Sequence, residues 1–227
     1  MILAAGRGER MRPLTDDLPK PLLQAGGKAL IEWQLEQLVD AGFRRFVINH
    51  AHLGRLIEER LGDGGRWGVD IAYSGERQAL ETAGGIRLAM PLIAAQAFAV
   101  VNSDVHTDYD YRRLASRISA MEADDTNKAH LVLVDNPPHH PQGDFFFESG
   151  LPVMDGSRKL TFSGIGVYRA ELFDPVTPGS RHPLAPLLTA AIASGRASAE
   201  HHRGMWFDVG TPERLQQLDA LLLERIR

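Results

Sequence analysis

The order of apolar patterns along the chain predicts an α/β protein with a mostly parallel central sheet and helices on both faces. Short runs rich in β-branched and apolar residues alternate with stretches whose apolar residues recur at helical spacing. The 227 residues, 44% hydrophobic and 24% charged, suit one large domain able to bury its own core. Strands alternating with helical crossovers are the mark of a parallel sheet covered by helices.

Taken in order, the first strand is expected over residues 1–5, MILAA. A helix follows over 30–41, where Ile31, Leu35, Leu38 and Val39 share a face and Gly42 stands at the C-terminal cap position. A strand at 46–49 leads to a helix over 53–61, with Leu53, Leu56, Ile57 and Leu61 in a stripe ahead of Gly62. A strand at 69–73 precedes a helix over 82–90 that is expected to stop at Pro91. Strands at 97–102 and 130–134 complete the alternating part. Beyond residue 134 the pattern changes to strands at 145–147, 160–168 and 205–209, some expected to be antiparallel, separated by turn-rich segments. Two closing helices are expected over 183–194 and 211–225, the second with Thr211 as N-cap and Pro212 at the first helical position.

Composition excludes several classes of function. With no cysteine there is no disulfide framework, thiolate metal site or cysteine nucleophile. A formal charge of −4 offers no bulk cationic field for nucleic acid or acidic lipid. The apolar run before Gly6 is too short for a signal-peptide core, and the most apolar tract, 91–101, is interrupted by Gln96. The expectation is a cytoplasmic protein that binds neither nucleic acid nor membrane. Six of its nine histidines fall in adjacent pairs or two apart (His139–His140, His201–His202, His50 and His52), not at the spacings of zinc sites on helices.

Directly after the first strand, residues 3–13 read LAAGRGERMRP. A glycine loop at a strand's C-terminal edge offers backbone N–H groups to a phosphate, and the small Ala4 and Ala5 let a ligand approach the main chain. Met11 stands where a dinucleotide fingerprint needs its third glycine, prolines 13, 19 and 21 follow instead of a helix, and Asn49 ends the second strand in place of an acid. No Gly-Lys-Ser/Thr is present, so the loop is not a P-loop. It is a proline-stiffened loop carrying Arg10 and Lys20, cations suited to a triphosphate. Two carboxylates, Asp104 in NSD and Asp208 in WFDVGT, stand at strand ends, the edge where ligands bind in open α/β sheets. Without His or Cys beside them they suit Mg²⁺, a hard ion that completes its shell with waters and phosphates.

LAAGRGERMRPLT followed by PKPL resembles the signature of the sugar-1-phosphate nucleotidyltransferases: G-x-G-x-R, then Pro-Leu-Thr, then Pro-Lys-Pro. The resemblance continues through QALETAGGI, NSDV and WFDVGTPERL, covering nearly the whole chain. INHAHLG, LVLVDNPPHH, GDF and TFSGI are similar in particular to the bacterial N-acetylmuramate-1-phosphate uridylyltransferase branch.

The resemblance implies a single Rossmann-like, GT-A-type nucleotidyltransferase domain over 1–227, with about 1–105 as nucleotide-binding half and about 106–227 as sugar-phosphate-binding half. It implies a Mg²⁺-dependent enzyme of peptidoglycan recycling that joins UTP to N-acetylmuramate 1-phosphate and releases pyrophosphate. The alternatives are a mannose-1-phosphate guanylyltransferase-like enzyme or a non-catalytic nucleotide-sugar-binding protein. By the same resemblance Arg10 and Lys20 are catalytic. The nucleotide is expected on Leu3, Ala5, Gly6, Gly8, Glu9, Arg10, Lys20, Glu81, Thr82 and Gly85. The sugar phosphate is expected on Asn102, Asp144, Ser163 and Gly164, and the metal on Asp104 and Asp208. One departure is informative: 151–164 lacks the Glu-Lys-Pro of thymidylyl-type members, which argues against a glucose-1-phosphate thymidylyltransferase.

Overall fold

Each apolar run read as a strand forms one, and several elements with weaker patterns join them. The computed structural model describes residues 1–226; position 227 of the expected domain lies outside the described residues. In chain order the first part holds β1 (Ile2–Leu3), β2 (Gln24–Ala25), β3 (Lys28–Ala29), α1 (Leu30–Asp40), β4 (Arg45–His50), α2 (Gly54–Leu61), β5 (Asp70–Gly75) and α3 (Glu81–Ile93). Then come β6 (Ala97–Asn102), β7 (Val105–Thr107), α4 (Arg112–Ala123), β8 (Ala129–Val134), β9 (Phe145–Glu148), β10 (Leu151–Val153) and β11 (Lys159–Arg169). The chain closes with α5 (Ala185–Ala193), β12 (Ala197–His202), β13 (Trp206–Asp208) and α6 (Pro212–Ile226). The α/β class expected from the sequence is the class observed. No helix among the described residues is long and apolar enough to cross a membrane.

Two compact units interleave in sequence. The first comprises Met1–Ala79, Asn102–Asp108 and Met205–Arg227. Its β1, β4 and β5 pair in parallel, with Ile2 opposite Ile48 and Phe46 opposite Ile71. β1 is shorter than expected because the next donor, the Ala4 N–H, is taken by the side chain of Asn49 at 3.0 Å instead of by a strand. Met11, Leu23, Ala25, Leu30, Val209, Leu218 and Leu222 form one buried cluster that fastens the glycine loop, α1 and α6 together. Glu32 of α1 is almost wholly buried and receives Arg60 at 3.0 Å together with Arg66, tying α1 to the segment around α2. Burial raises its pKa, but hydrogen bonds from Arg60, Arg66 and the Ala29 N–H hold it below the ordinary carboxylate range.

The second unit comprises Leu80–Val101 and Tyr109–Gly204. Its longest strand, β11, runs antiparallel to β6, β8 and β9, while β12 lies parallel to β8. This agrees with the antiparallel character expected beyond residue 134. β11 is interrupted between Phe162 and Ile165 by a register shift, so Ser163 and Gly164 form a bulge within the strand expected over 160–168. Gly164, at φ 78, supplies the left-handed residue that such a bulge needs. α3 continues to Ile93 through Pro91 instead of stopping there. Ile93 is buried, and Ala94 closes the helix with its N–H on the Met90 carbonyl at 3.1 Å.

A polar network also lies inside this unit. Glu200 of β12 accepts the Tyr109 hydroxyl at 2.7 Å, lies 3.3 Å from Nε2 of His130, and pairs with Arg113. Burial pushes the Glu200 carboxyl up, but the hydrogen bonds from His130 and Tyr109 and the charge of Arg113 outweigh it and bring its pKa down to about 2. Because that value lies below the unfolded one of about 4.3, the stabilisation is present above roughly pH 5 and fades as pH falls toward 2. Glu200→Gln is expected to cost about 2 kcal/mol at pH 7, read by urea unfolding, and the gap to wild type should narrow between pH 5 and pH 2. A gap that stays constant down to pH 3 would separate the stabilisation from the charge on Glu200.

Candidate active site

Leu3 ends β1, and from Ala4 the chain leaves the sheet as the glycine loop. The loop's start is held from below: Asn49, at the end of β4, accepts the Ala4 N–H and donates its amide to the buried Glu76 at 2.7 Å. Gly8 turns the chain at φ 65. A Cβ there would stand 3.0 Å from Cγ2 of Thr15 and 3.1 Å from Cβ of Lys20, so both sterics and backbone favour glycine. Thr15 donates its hydroxyl to the Gly8 carbonyl at 2.8 Å and closes the loop. Met11 buries its whole side chain and pins the following single turn, while Gly6, Glu9 and Arg10 stay exposed. Lys20 opens a second turn whose Pro21 and Leu22 are buried, so its position is fixed by core packing.

Lys20 points to the expected metal site and pairs with the carboxylate of Asp104; both side chains are mostly buried. Asp104 lies in the turn between β6 and β7. Its backbone carbonyl accepts the Val209 N–H at 2.8 Å, and β7 pairs antiparallel with β13 so that Asp208 lies opposite Val105. The two aspartates, far apart in sequence, therefore stand on adjacent strand ends. Asp208 is held by Arg214 of α6, whose Nη1 lies 2.7 Å from each carboxylate oxygen. Gly210 lies beneath this pair: a Cβ there would come within 2.0 Å of Nη2 of Arg214 and 3.3 Å of Nη2 of Arg10. Arg10, Lys20, Asp104, Asp208 and Arg214 thus belong to the same unit as Leu3, Ala5, Gly6, Gly8, Glu9 and Asn102. Among the described residues no group of three or more His, Asp or Glu is placed to hold a metal ion. Any ion on the aspartate pair must draw most of its shell from elsewhere.

The remaining expected residues lie in the second unit. Glu81 and Thr82 start α3, with Gly85 one turn on. Glu81 adopts φ 61, an unusual value for a residue with a side chain, and its carboxylate accepts two hydrogen bonds from Arg181 at 2.5 and 3.1 Å. The close approach in this segment falls on Gly84, whose N–H donates to the His182 carbonyl; a Cβ there would stand 2.3 Å from the Ser180 carbonyl. Asp144 and the bulge in β11 come together: Asp144 accepts the Phe162 N–H at 2.7 Å and lies 3.0 Å from Nε2 of His140. Ser163 is buried, and its hydroxyl donates to the Val132 carbonyl at 2.7 Å.

Three residues that matter here were not singled out as site residues in the sequence. Asn49 was visible only as the missing acid of a different motif, and Glu76 carries no local signal. Arg214 does: a cation in the first turn of a helix opposes the helix dipole, which points to a partner nearby.

Residues 1–145 match the family described as Nucleotidyl transferase. The chain is 53% identical to the N-acetylmuramate alpha-1-phosphate uridylyltransferase of Neisseria meningitidis, over 97% of this chain and 96% of that protein. It is 32% identical to the protein of the same name from Caulobacter vibrioides, over 99% and 96% of the two chains. Among solved structures it superposes on a putative glucose-1-phosphate thymidylyltransferase from Bacillus anthracis with a TM-score of 0.86, at 21% identity over 98% of this chain and 94% of that one. The chain belongs to the nucleotidyl transferase family, in agreement with the resemblance in its glycine loop.

The support beneath the loop can be tested directly. Asn49→Ala removes the partner of the Ala4 N–H and one donor to the buried Glu76 carboxylate. It is expected to lower stability by about 2–3 kcal/mol in urea unfolding. A loss under about 0.5 kcal/mol, the range of an ordinary surface substitution, would show that Asn49 does not hold the loop.

Proposed function

We propose that the chain transfers a uridylyl group from UTP to N-acetylmuramate 1-phosphate, releasing pyrophosphate, in peptidoglycan recycling. The observation that carries the chemistry is the meeting, within one unit, of a rigid cationic loop with two carboxylates on paired strand ends. The choice of base and sugar leans on the Neisseria and Caulobacter relatives, whose names state that activity. Since UTP is a cytoplasmic metabolite, the reading implies a cytoplasmic enzyme.

The sugar phosphate oxygen attacks the α-phosphorus of the nucleotide in line with departing pyrophosphate. A phosphomonoester with a second pKa near 6 is already an anion at neutral pH, so no general base is required. The task left to the protein is to bring two polyanions together and hold them in line. Backbone N–H groups of the loop from Leu3 to Arg10, with its small residues and the open space over Gly6, offer the triphosphate a close approach. Arg10 stabilises charge on the departing pyrophosphate. Lys20 bridges the α-phosphate and the incoming sugar phosphate, held in place by its ion pair with Asp104.

Two carboxylates without histidine fit a hard divalent ion, and Asp104 and Asp208 are the residues that would hold Mg²⁺. When bound, that ion neutralises phosphate oxygens. Around the base we assign Glu81, Thr82 and Gly85, and around the sugar Asn102, Asp144, Ser163 and Gly164. The sugar-phosphate role is assigned to about residues 106–227 and the nucleotide role to about 1–105.

Lys20→Ala and Asp208→Asn are each expected to lower turnover at least about a hundredfold, the size of effect that loss of one preorganised charge contact produces. The assay is pyrophosphate release, and near-normal turnover would remove that residue from the mechanism. Across a panel of nucleoside triphosphates and sugar 1-phosphates, UTP with N-acetylmuramate 1-phosphate should give the highest kcat/KM. Preference for GTP with mannose 1-phosphate would replace this reading with a guanylyltransferase.

A further inference from the structure

Arg214 lies in the WFDVGTPERL segment but has no role in the proposed chemistry, yet its guanidinium bonds both oxygens of the Asp208 carboxylate. Its Nη1 is shared between both oxygens of Asp208 at 2.7 Å, and the two side chains are only 13% and 25% exposed. The placement runs against local electrostatics, because the first turn of α6 is the positive end of the helix dipole. It also constrains the backbone: the guanidinium folds back over Gly210, where even a methyl group would stand 2.0 Å from Nη2. Nη2 of Arg10 lies 3.3 Å from the same point, so two guanidinium groups crowd Gly210 while Lys20 pairs with Asp104.

This arrangement bears on how a divalent ion reaches Asp208. Both carboxylate oxygens already accept from Arg214, and an ion entering there meets a positive charge on the same atoms. A polyphosphate changes the balance. Guanidinium binds carboxylate and phosphate with similar two-point geometry, so it can pass from one to the other without losing its hydrogen bonds.

We infer that Arg214 is the resident counter-cation of Asp208: it competes with the divalent ion for the carboxylate and moves to a phosphate oxygen of the reactants when nucleotide and metal bind. The inference rests on the metal assignment above and adds a consequence to it. Metal and triphosphate must bind with positive linkage, each tightening the other, and Arg214 sets the size of that coupling.

The test uses Mn²⁺ alone as probe, titrated into the full chain and followed by the electron paramagnetic resonance signal of free Mn²⁺. The titration is then repeated with a non-hydrolysable UTP analogue. Arg214→Gln is expected to bind Mn²⁺ alone at least about fivefold more tightly than wild type. It should bind the analogue more weakly, with a smaller gain in Mn²⁺ affinity when the analogue is added. Arg214→Lys, which keeps a charge but not the fork, should shift Mn²⁺ binding the same way by about twofold to threefold, and carries the test if the Gln variant does not fold. Unchanged Mn²⁺ binding in the Arg214 variants, with weakened binding in Asp208→Asn, overturns this inference and leaves the metal assignment standing. Unchanged binding in Asp208→Asn overturns both.

Discussion

The short antiparallel pairing of β13 with β7 is the contact on which the site depends. It spans three residue pairs, Trp206 with Thr107, Phe207 with His106 and Asp208 with Val105, and it is extended by the Val209 N–H on the Asp104 carbonyl. Through it two aspartates from distant parts of the sequence become neighbours. So short a ladder is not stable alone. It persists because Val209 continues into the buried cluster with Met11, Leu218 and Leu222, so the packing that holds α6 also sets the spacing of the carboxylates.

The same core positions the opposing charges. Met11 buries the turn that presents Arg10, and Pro21 with Leu22 buries the turn that presents Lys20. In each case an apolar side chain fixes a neighbouring cation that could not be held by its own hydrogen bonds in water. The result is a self-neutralised cluster, Lys20 on Asp104 and Arg214 on Asp208, within one unit. For an enzyme that must gather polyanions this has a physical rationale: preorganised cations cost no reorganisation during the reaction, and carboxylate partners keep them aimed meanwhile.

The parts of the fold that were legible had strong local signals. Strands such as β6 and β8, buried on both faces, read as continuous apolar runs, and α1 and α2 carried clear stripes with glycine stops. β12 and α4 have weak ones. β12 reads ASAEHH, with little β-branched character, and forms because it completes a parallel pairing with β8. α4 buries only Leu114 and Met121, a stripe too thin to stand out against its arginines. Pro91 is a local stop signal that burial of Ile93 overrides, carrying α3 past it. At the site, Arg10, Lys20, Asp104 and Asp208 stood out because residue type and position at strand ends suffice to mark a charge. Asn49 and Glu76 did not, because their importance lies in whom they touch.

By itself the sequence determined the α/β class, the family and the chemical character of the site. Those follow from periodicity, from the turn chemistry of glycine and proline, and from charges placed at strand ends, all local properties of the chain. Only the tertiary structure decided which carboxylate stands beside which, which cation each one holds, and that Gly210 must stay bare for Arg214 to reach Asp208. Pairing between distant segments is set by the burial that many residues share, and no stretch of sequence read alone contains it.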